Sequence, residues 1–240
     1  MRSDRLDLAA RALLARHLDV GRDLEIDVRL LRGGLVSQVA HVTARSLGAP
    51  RATFEAVVKE LEGDATRELE VYRLAPDLDM APRLFGHLER GAAVYLLLEA
   101  VERGHPWPWS DAAAPARVLG RLAELHDGPV STPLTEALAS WDYEAELGAR
   151  GAATLELLER RREAPGLGPL RPHLPALRRT LEALPRMRRE LAAELPSALL
   201  HGDVHTGNVL ERDAGSVVLV DWERARIGSP LEDVSSWLQS

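Results

Sequence analysis

The run His201-Gly202-Asp203-Val204-His205-Thr206-Gly207-Asn208 decides how this chain reads. It sets a carboxylate and a carboxamide apart by four residues, and Asn208 is the one asparagine in 240 residues. The one lysine, Lys59, closes an apolar run far upstream, Phe54-Glu55-Ala56-Val57-Val58-Lys59. The other 29 members of the 30 lysines and arginines are all arginine. A composition biased that far explains why lysine is rare. It does not explain why the survivor sits at the end of a strand-like stretch. An ammonium meets phosphate oxygens as a compact point charge, whereas a guanidinium is a planar fork.

Working outward, Val209-Leu210-Glu211, a turn at Asp213-Ala214-Gly215-Ser216, and Val217 to Val220 predict a hairpin. That hairpin returns Asp221 to the side of Asn208. One carboxylate and one amide carbonyl, completed by phosphate oxygens, suit a hard cation such as magnesium.

Upstream, residues 5 to 18 carry Leu6, Leu13, Leu14 and Leu18 at near-helical spacing. Ile26 to Leu30, the pair Gly33-Gly34, and a second alternating run from Val36 to Val42 predict a hairpin. A third strand runs from Phe54 and ends at Lys59. Ala65 to Leu74 reads as a helix carrying Glu68, and Ala93 to Glu99 as an apolar strand. The first hundred residues are thus a small sheet with one internal helix. Beyond about 103 the chain turns helical: Ala114 to His126, then 134 to 162. Pro165 to Pro169 interrupts the pattern, and an amphipathic stripe follows from Leu174 to Leu195, with Pro185 expected to kink or split it.

The composition narrows the classes. With 45% hydrophobic residues the chain has enough apolar content to fold, as one large domain or two lobes. A formal net charge of −7 argues against a nucleic-acid partner and favours cationic ligands. Without cysteine there is no disulfide framework and no thiolate metal site. Met1 to Val20 fits neither a signal peptide nor an acid-poor transit peptide, and no apolar run approaches the roughly 20 residues of a membrane span. The expectation is a cytoplasmic enzyme without a membrane partner; the oligomeric state stays open.

The spacing of Asp203 and Asn208 is that of a kinase catalytic loop, where the aspartate orients an acceptor hydroxyl and the asparagine ligates magnesium. Taken from His201 to Leu210, with Val220-Asp221-Trp222-Glu223 and Gly228 to Asp233, the chain resembles the aminoglycoside phosphotransferase and choline kinase family. Arg67 to Tyr72 resembles the family helix whose glutamate pairs with the strand lysine, which implies Glu68 with Lys59; Glu70 is the competing acid. Leu98 to Gly104 resembles the adenine-binding hinge, implying nucleotide contacts at Glu99 and Val101. Val118 to His126 resembles a core helix of the larger lobe. Arg32 to Ser37 departs from the usual glycine-loop pattern, with Gly34 and Ser37 as its phosphate-covering candidates.

The resemblance implies an α+β, two-lobed protein-kinase-like fold. Residues 1–102 would form an ATP-binding lobe and 103–240 the catalytic and acceptor-binding lobe. It further implies transfer of the γ-phosphate of ATP to a hydroxyl of a small molecule, an aminoglycoside, amino alcohol or sugar-like acceptor. Asp203 would be catalytic, Lys59, Glu68, Gly34, Ser37, Glu99 and Val101 would hold nucleotide, and Asn208 and Asp221 would hold magnesium. Gly202 takes the place of an arginine that reads a phosphorylated activation loop in many protein kinases, which implies no such switch. The chain ends soon after Asp233, where related enzymes continue with helices of the acceptor pocket; a fragment and a shortened enzyme are both open.

Three competing readings set the bounds. A kinase-like module that binds nucleotide without turnover is compatible with the early end. His201, Asp203 and His205 alternate, as ligands of a metal-dependent hydrolase would, but that leaves Lys59, Glu68 and Asn208 without a role. His205, His126, Trp107, Trp109 and the arginine runs at 160–162 and 188–189 read as packing or solvated residues.

Overall fold

The computed structural model describes residues 2–18, 24–31, 37–47, 52–75, 77–101, 113–139, 143–164, 166–194, 196–212 and 216–240. Gly34, the tryptophans 107 and 109, and the turn residues 213–215 lie outside the described residues.

The helical spacing near the N-terminus becomes α1 (Arg2–His17), which buries Leu6, Leu13 and Leu14 with Ala9 and Ala10. The first hairpin is β1 (Leu24–Leu30) against β2 (Gln38–Ser46), antiparallel, with Val28 opposite Val42. The third strand, β3 (Thr53–Glu62), does not stop at Lys59. Its ladder continues through Glu60 opposite Tyr95 and Leu61 opposite Val94. Glu60 is buried there and accepts the Tyr95 hydroxyl at 2.9 Å.

A short 3₁₀ turn (Gly63–Thr66) leads into α2 (Arg67–Leu74). Two strands complete the sheet, β4 (Leu84–Arg90) and β5 (Ala93–Glu99). β4 has no counterpart in the sequence reading. It is an edge strand in the order β1-β2-β3-β5-β4, half-buried or exposed along its length, so no apolar alternation marks it. β5 lies between β3 and β4 and is buried from Ala93 to Leu98, which is why it reads plainly as a strand.

Alternation divides the sheet into two faces. Ala56, Val58, Tyr95 and Leu97 face α1 in one core, while Leu61, Leu96 and Leu98 join Leu69 and Tyr72 of α2 in the other. The second core runs on into the helical half through Val118, Leu122, Leu219 and Trp222. One apolar body therefore joins the sheet to the helical half.

The helical half begins with α3 (Ala114–Asp127). The helical reading over 134–162 corresponds to two helices, α4 (Thr132–Leu138) and α5 (Tyr143–Arg160). Ser131 caps α4 by accepting the Leu134 N–H at 3.3 Å, and Leu134 and Leu138 are buried on the α2 side, whereas α5 packs on α6 (Leu174–Glu194). Pro185 lies within α6 without splitting it. Gly151 permits the close α5–α6 approach, since a Cβ there would lie 2.6 Å from Leu181 Cδ1.

The remaining strands pair two by two: β6 (Ala198–Leu200) with β9 (Arg226–Gly228), and β7 (Val209–Arg212) with β8 (Ser216–Leu219). α7 (Leu231–Leu238) closes the order. The architecture is α+β, an antiparallel sheet lobe joined to a helical part. Among the described residues no helix is long and apolar enough to cross a membrane.

Candidate active site

Lys59 belongs to the β3 residues that alternate toward α2, so its side chain meets that helix rather than α1. Its side chain is 6% exposed; Nζ donates to Glu68 Oε2 at 2.5 Å and also to Asp221 Oδ1. Burial acts to lower the Lys59 pKa, but the Glu68 and Asp221 carboxylates overcome it and raise the value above that of an ordinary lysine. Complete burial pushes the Glu68 carboxyl up, against the pull of Lys59. Glu70 points elsewhere and pairs with Arg73 at 3.4 Å, so Glu68 is the acid that meets the lysine.

The 201–208 loop is fastened from below. Asp233, fully buried on α7, accepts the His201 N–H and the Gly202 N–H, each at 2.8 Å. His126 Nε2 of α3 lies 3.1 Å from the same carboxylate. Burial would raise the Asp233 pKa, yet His126 and the two backbone donors hold it below the usual range. His201 Nδ1 accepts the Asp203 N–H at 3.3 Å, which leaves Nε2 as the protonated nitrogen donating to Val220 O at 3.0 Å. Burial lowers its pKa, so the ring stays neutral. Both ring nitrogens being engaged, His201 has no lone pair for a metal.

Gly202 is required by space. Its φ is +84°, and a Cβ would lie 2.1 Å from Arg224 O and 2.3 Å from Arg226 Nη1. Arg226 fills that volume, donating from Nη1 to Gly202 O and Arg224 O and from Nη2 to Glu232 at 2.6 Å.

Asn208 Nδ2 donates to Asp203 O at 3.0 Å, which turns the amide so that Oδ1 is the atom offered to a cation. The hairpin of β7 and β8 brings Asn208 and Asp221 together as expected, closed by Val220 N–H to Asn208 O at 2.9 Å. Asp221 has φ 71° and ψ 62°, a left-handed conformation that costs a side-chain-bearing residue about 1–3 kcal/mol. The buried Trp222, edge-on to His201 at 4.6 Å and bonded to Leu219 O, anchors the turn that imposes it. Asp203 is partly exposed, with Arg224 Nε at 3.8 Å and His205 Nε2 at 3.9 Å. The overall negative charge thus does not describe this spot.

At the sheet end of the cleft, Ser37 does not stand alone as a phosphate cover. Its hydroxyl donates to Glu223 Oε2 at 3.2 Å, while Arg67 Nη1 donates to Glu223 O at 3.3 Å. Glu99 likewise has its carboxylate committed, to Arg212 and to the Arg83 N–H, and its own N–H donates to Arg83 O at 2.9 Å. Val101 follows it, half-buried. Arg67, Arg212, Arg224 and Arg226 were not identifiable in sequence, because nothing separates them from the other arginines. Only the adjacency of Glu223 and Arg224 to Asp221 is a readable signal.

The sheet lobe, the lysine–glutamate pair and the braced loop define a kinase-like phosphotransferase architecture. Residues 27–240 match APH, the phosphotransferase enzyme family, and the chain belongs to that family. No curated protein matches the sequence. Among solved structures, an ethanolamine kinase from Plasmodium vivax is similar at 15% identity and a TM-score of 0.59, over 88% of this chain and 58% of that one. An aminoglycoside-3'-phosphotransferase of type VIII is similar at 23% identity and 0.55, over 98% of this chain and 82% of that one. The streptomycin–ATP ternary complex of APH(2'')-IIa is similar at 14% identity and 0.51, over 93% of this chain and 73% of that one. At these identities the likeness is one of fold, and the chain spans under two thirds of the Plasmodium enzyme.

Proposed function

We propose that this chain transfers the γ-phosphate of ATP to a hydroxyl of a small molecule. The observation that carries the reading is the buried ammonium of Lys59 held by Glu68 and Asp221, with the residue before Asp221 bonded to Asn208 O through its N–H. Family membership and the ATP-bound relative support it. The donor set fits the cofactors: one carboxylate and one amide oxygen suit magnesium, whose remaining ligands come from phosphates and water. We assign Asn208 and Asp221 to the metal, Lys59 and Glu68 to the phosphates, and the Glu99 carbonyl with the Val101 backbone to the base. The lobes meet near residue 102.

When bound, magnesium neutralises charge on the phosphates. Lys59 presents its ammonium to the same oxygens, aimed by Glu68. Asp203 accepts the hydrogen of the acceptor hydroxyl and holds that oxygen in line. The neutral His201 and the Asp233 brace keep the Asp203 backbone fixed while this happens.

The test is ATP consumption by the purified chain across aminoglycosides, amino alcohols and sugars, with magnesium and with EDTA. Asp203→Asn should cut turnover by at least about a hundredfold while nucleotide still binds. Unchanged turnover in that variant removes Asp203 from the chemistry. Nucleotide binding without turnover of any acceptor by the unaltered chain leaves a non-catalytic module as the reading.

A further inference from the structure

Glu99 ends β5 and Arg212 ends β7, so they belong to opposite lobes. Their side chains meet as a fork: Arg212 Nε donates to Oε1 at 3.1 Å and Nη2 to Oε2 at 2.7 Å. Both are largely removed from solvent, 31% and 25% exposed. Two parallel contacts fix an angle as well as a distance, which a single ion pair does not.

The fork is one point of a longer fastening. Glu99 Oε2 also accepts the Arg83 N–H at 3.0 Å, and the Glu99 N–H returns to Arg83 O at 2.9 Å. Arg212 Nη1 reaches Asp79 O at 3.2 Å, and the Leu219 N–H of β8 donates to Met80 O at 2.7 Å. Asp79 is held in turn by Arg121 of α3 at 2.8 Å. Segment 79–83, the β5 end and the β7–β8 hairpin are therefore tied into one frame. The same hairpin holds Asn208 just before its first strand and leads to Asp221 after its second.

We propose that Arg212 is a positioning residue: it locks the β5 end to the β7–β8 hairpin, and so sets the lobe carrying Lys59 in register with Asn208 and Asp221. This rests on the phosphotransferase reading of the cleft. The role proposed for Arg212 is through its protein partners, Glu99 and Asp79 O, and not through contact with nucleotide or acceptor. Its effect is on how well the cleft is formed before nucleotide arrives, and a misplacement of about 1 Å at such a site is costly.

The test uses the full chain and two readouts. Hydrogen exchange without nucleotide should show the Glu99 and Leu219 amides exchanging at least about tenfold faster in Arg212→Ala, with the α1–β1 region unchanged. Calorimetry with a non-hydrolysable ATP analogue and magnesium should show about tenfold weaker binding, partly rescued by Arg212→Lys. The double variant Glu99→Ala/Arg212→Ala removes the question of a carboxylate left unpaired. It should remain weak, because the tie between lobes is still missing. Recovery of wild-type affinity in the double variant, or unchanged exchange in Arg212→Ala, overturns the proposal and makes Arg212 a mere counter-charge. Absence of nucleotide binding by the unaltered chain defeats the phosphotransferase reading itself, while the exchange result still decides whether Arg212 ties the lobes.

Discussion

At the scale of single residues, Lys59 is held by direction as much as by charge. Its head group reaches Glu68 and Asp221 from a position fixed in the strand ladder opposite Val39 and Leu96. Lys59→Arg keeps the charge but carries a wider, planar group with different donor directions. Turnover in that variant should fall by about a hundredfold, as expected for misplaced phosphate contacts; an activity assay showing near-normal rates would remove the geometric argument. His201 makes a prediction about pH. Its folded pKa is depressed by burial, so below about pH 6.5 the unfolded chain binds a proton that the folded chain refuses. That contribution to stability is present above this value and is lost as pH falls toward the folded pKa, by up to about 1.4 kcal/mol per pH unit. Melting temperature measured from pH 8 to 5 should show this slope in the native chain. The slope should be weaker in His201→Gln, where other titrating groups still act equally; identical slopes would mean that folding does not shift the titration of the ring.

At the scale of elements, the β7–β8 hairpin has one consequence for the proposed chemistry: the two oxygen ligands assigned to magnesium arrive together or not at all. Asp221→Ala leaves Asn208 alone and should abolish magnesium-dependent turnover, and calorimetry should show the magnesium enhancement of nucleotide binding gone. Unchanged magnesium enhancement would move the metal elsewhere. This hairpin was legible in sequence because Val209 to Leu210 and Val217 to Val220 are apolar runs on either side of turn residues. The pairing of Lys59 with Glu68 was legible through the family helix, though without that resemblance Glu70 stayed open. β4 was not legible, since this edge strand carries His87, Glu89 and Arg90 and has no fully buried residue to mark it. That α4 and α5 are separate helices was equally hidden: both segments are helical by composition, and what distinguishes them is their partner, α2 for α4 and α6 for α5. Gly202 was read through a missing arginine, but its necessity lies in Arg224 O and Arg226, which no local pattern reveals.

At the scale of the molecule, the sheet lobe and the helical part share one continuous core, and the cleft residues come from both. The family profile covers nearly all of this body, from residue 27 to 240. The position of the sole lysine has a further use. A protease that cuts only after lysine has one target bond, between Lys59 and Glu60, and that bond lies in β3 between β2 and β5. An extended ladder strand does not enter a protease active site, so cleavage waits for the sheet to open. Digestion should yield two fragments, at a rate far below that of the urea-unfolded chain. Nucleotide at about 100 times its Kd should slow it a further hundredfold if it binds only the folded form. The chain therefore contains its own single-site reporter of opening, read on a gel without label or engineered residue. Cutting of the native chain as fast as of the unfolded one would mean that the ladder around Lys59 does not hold.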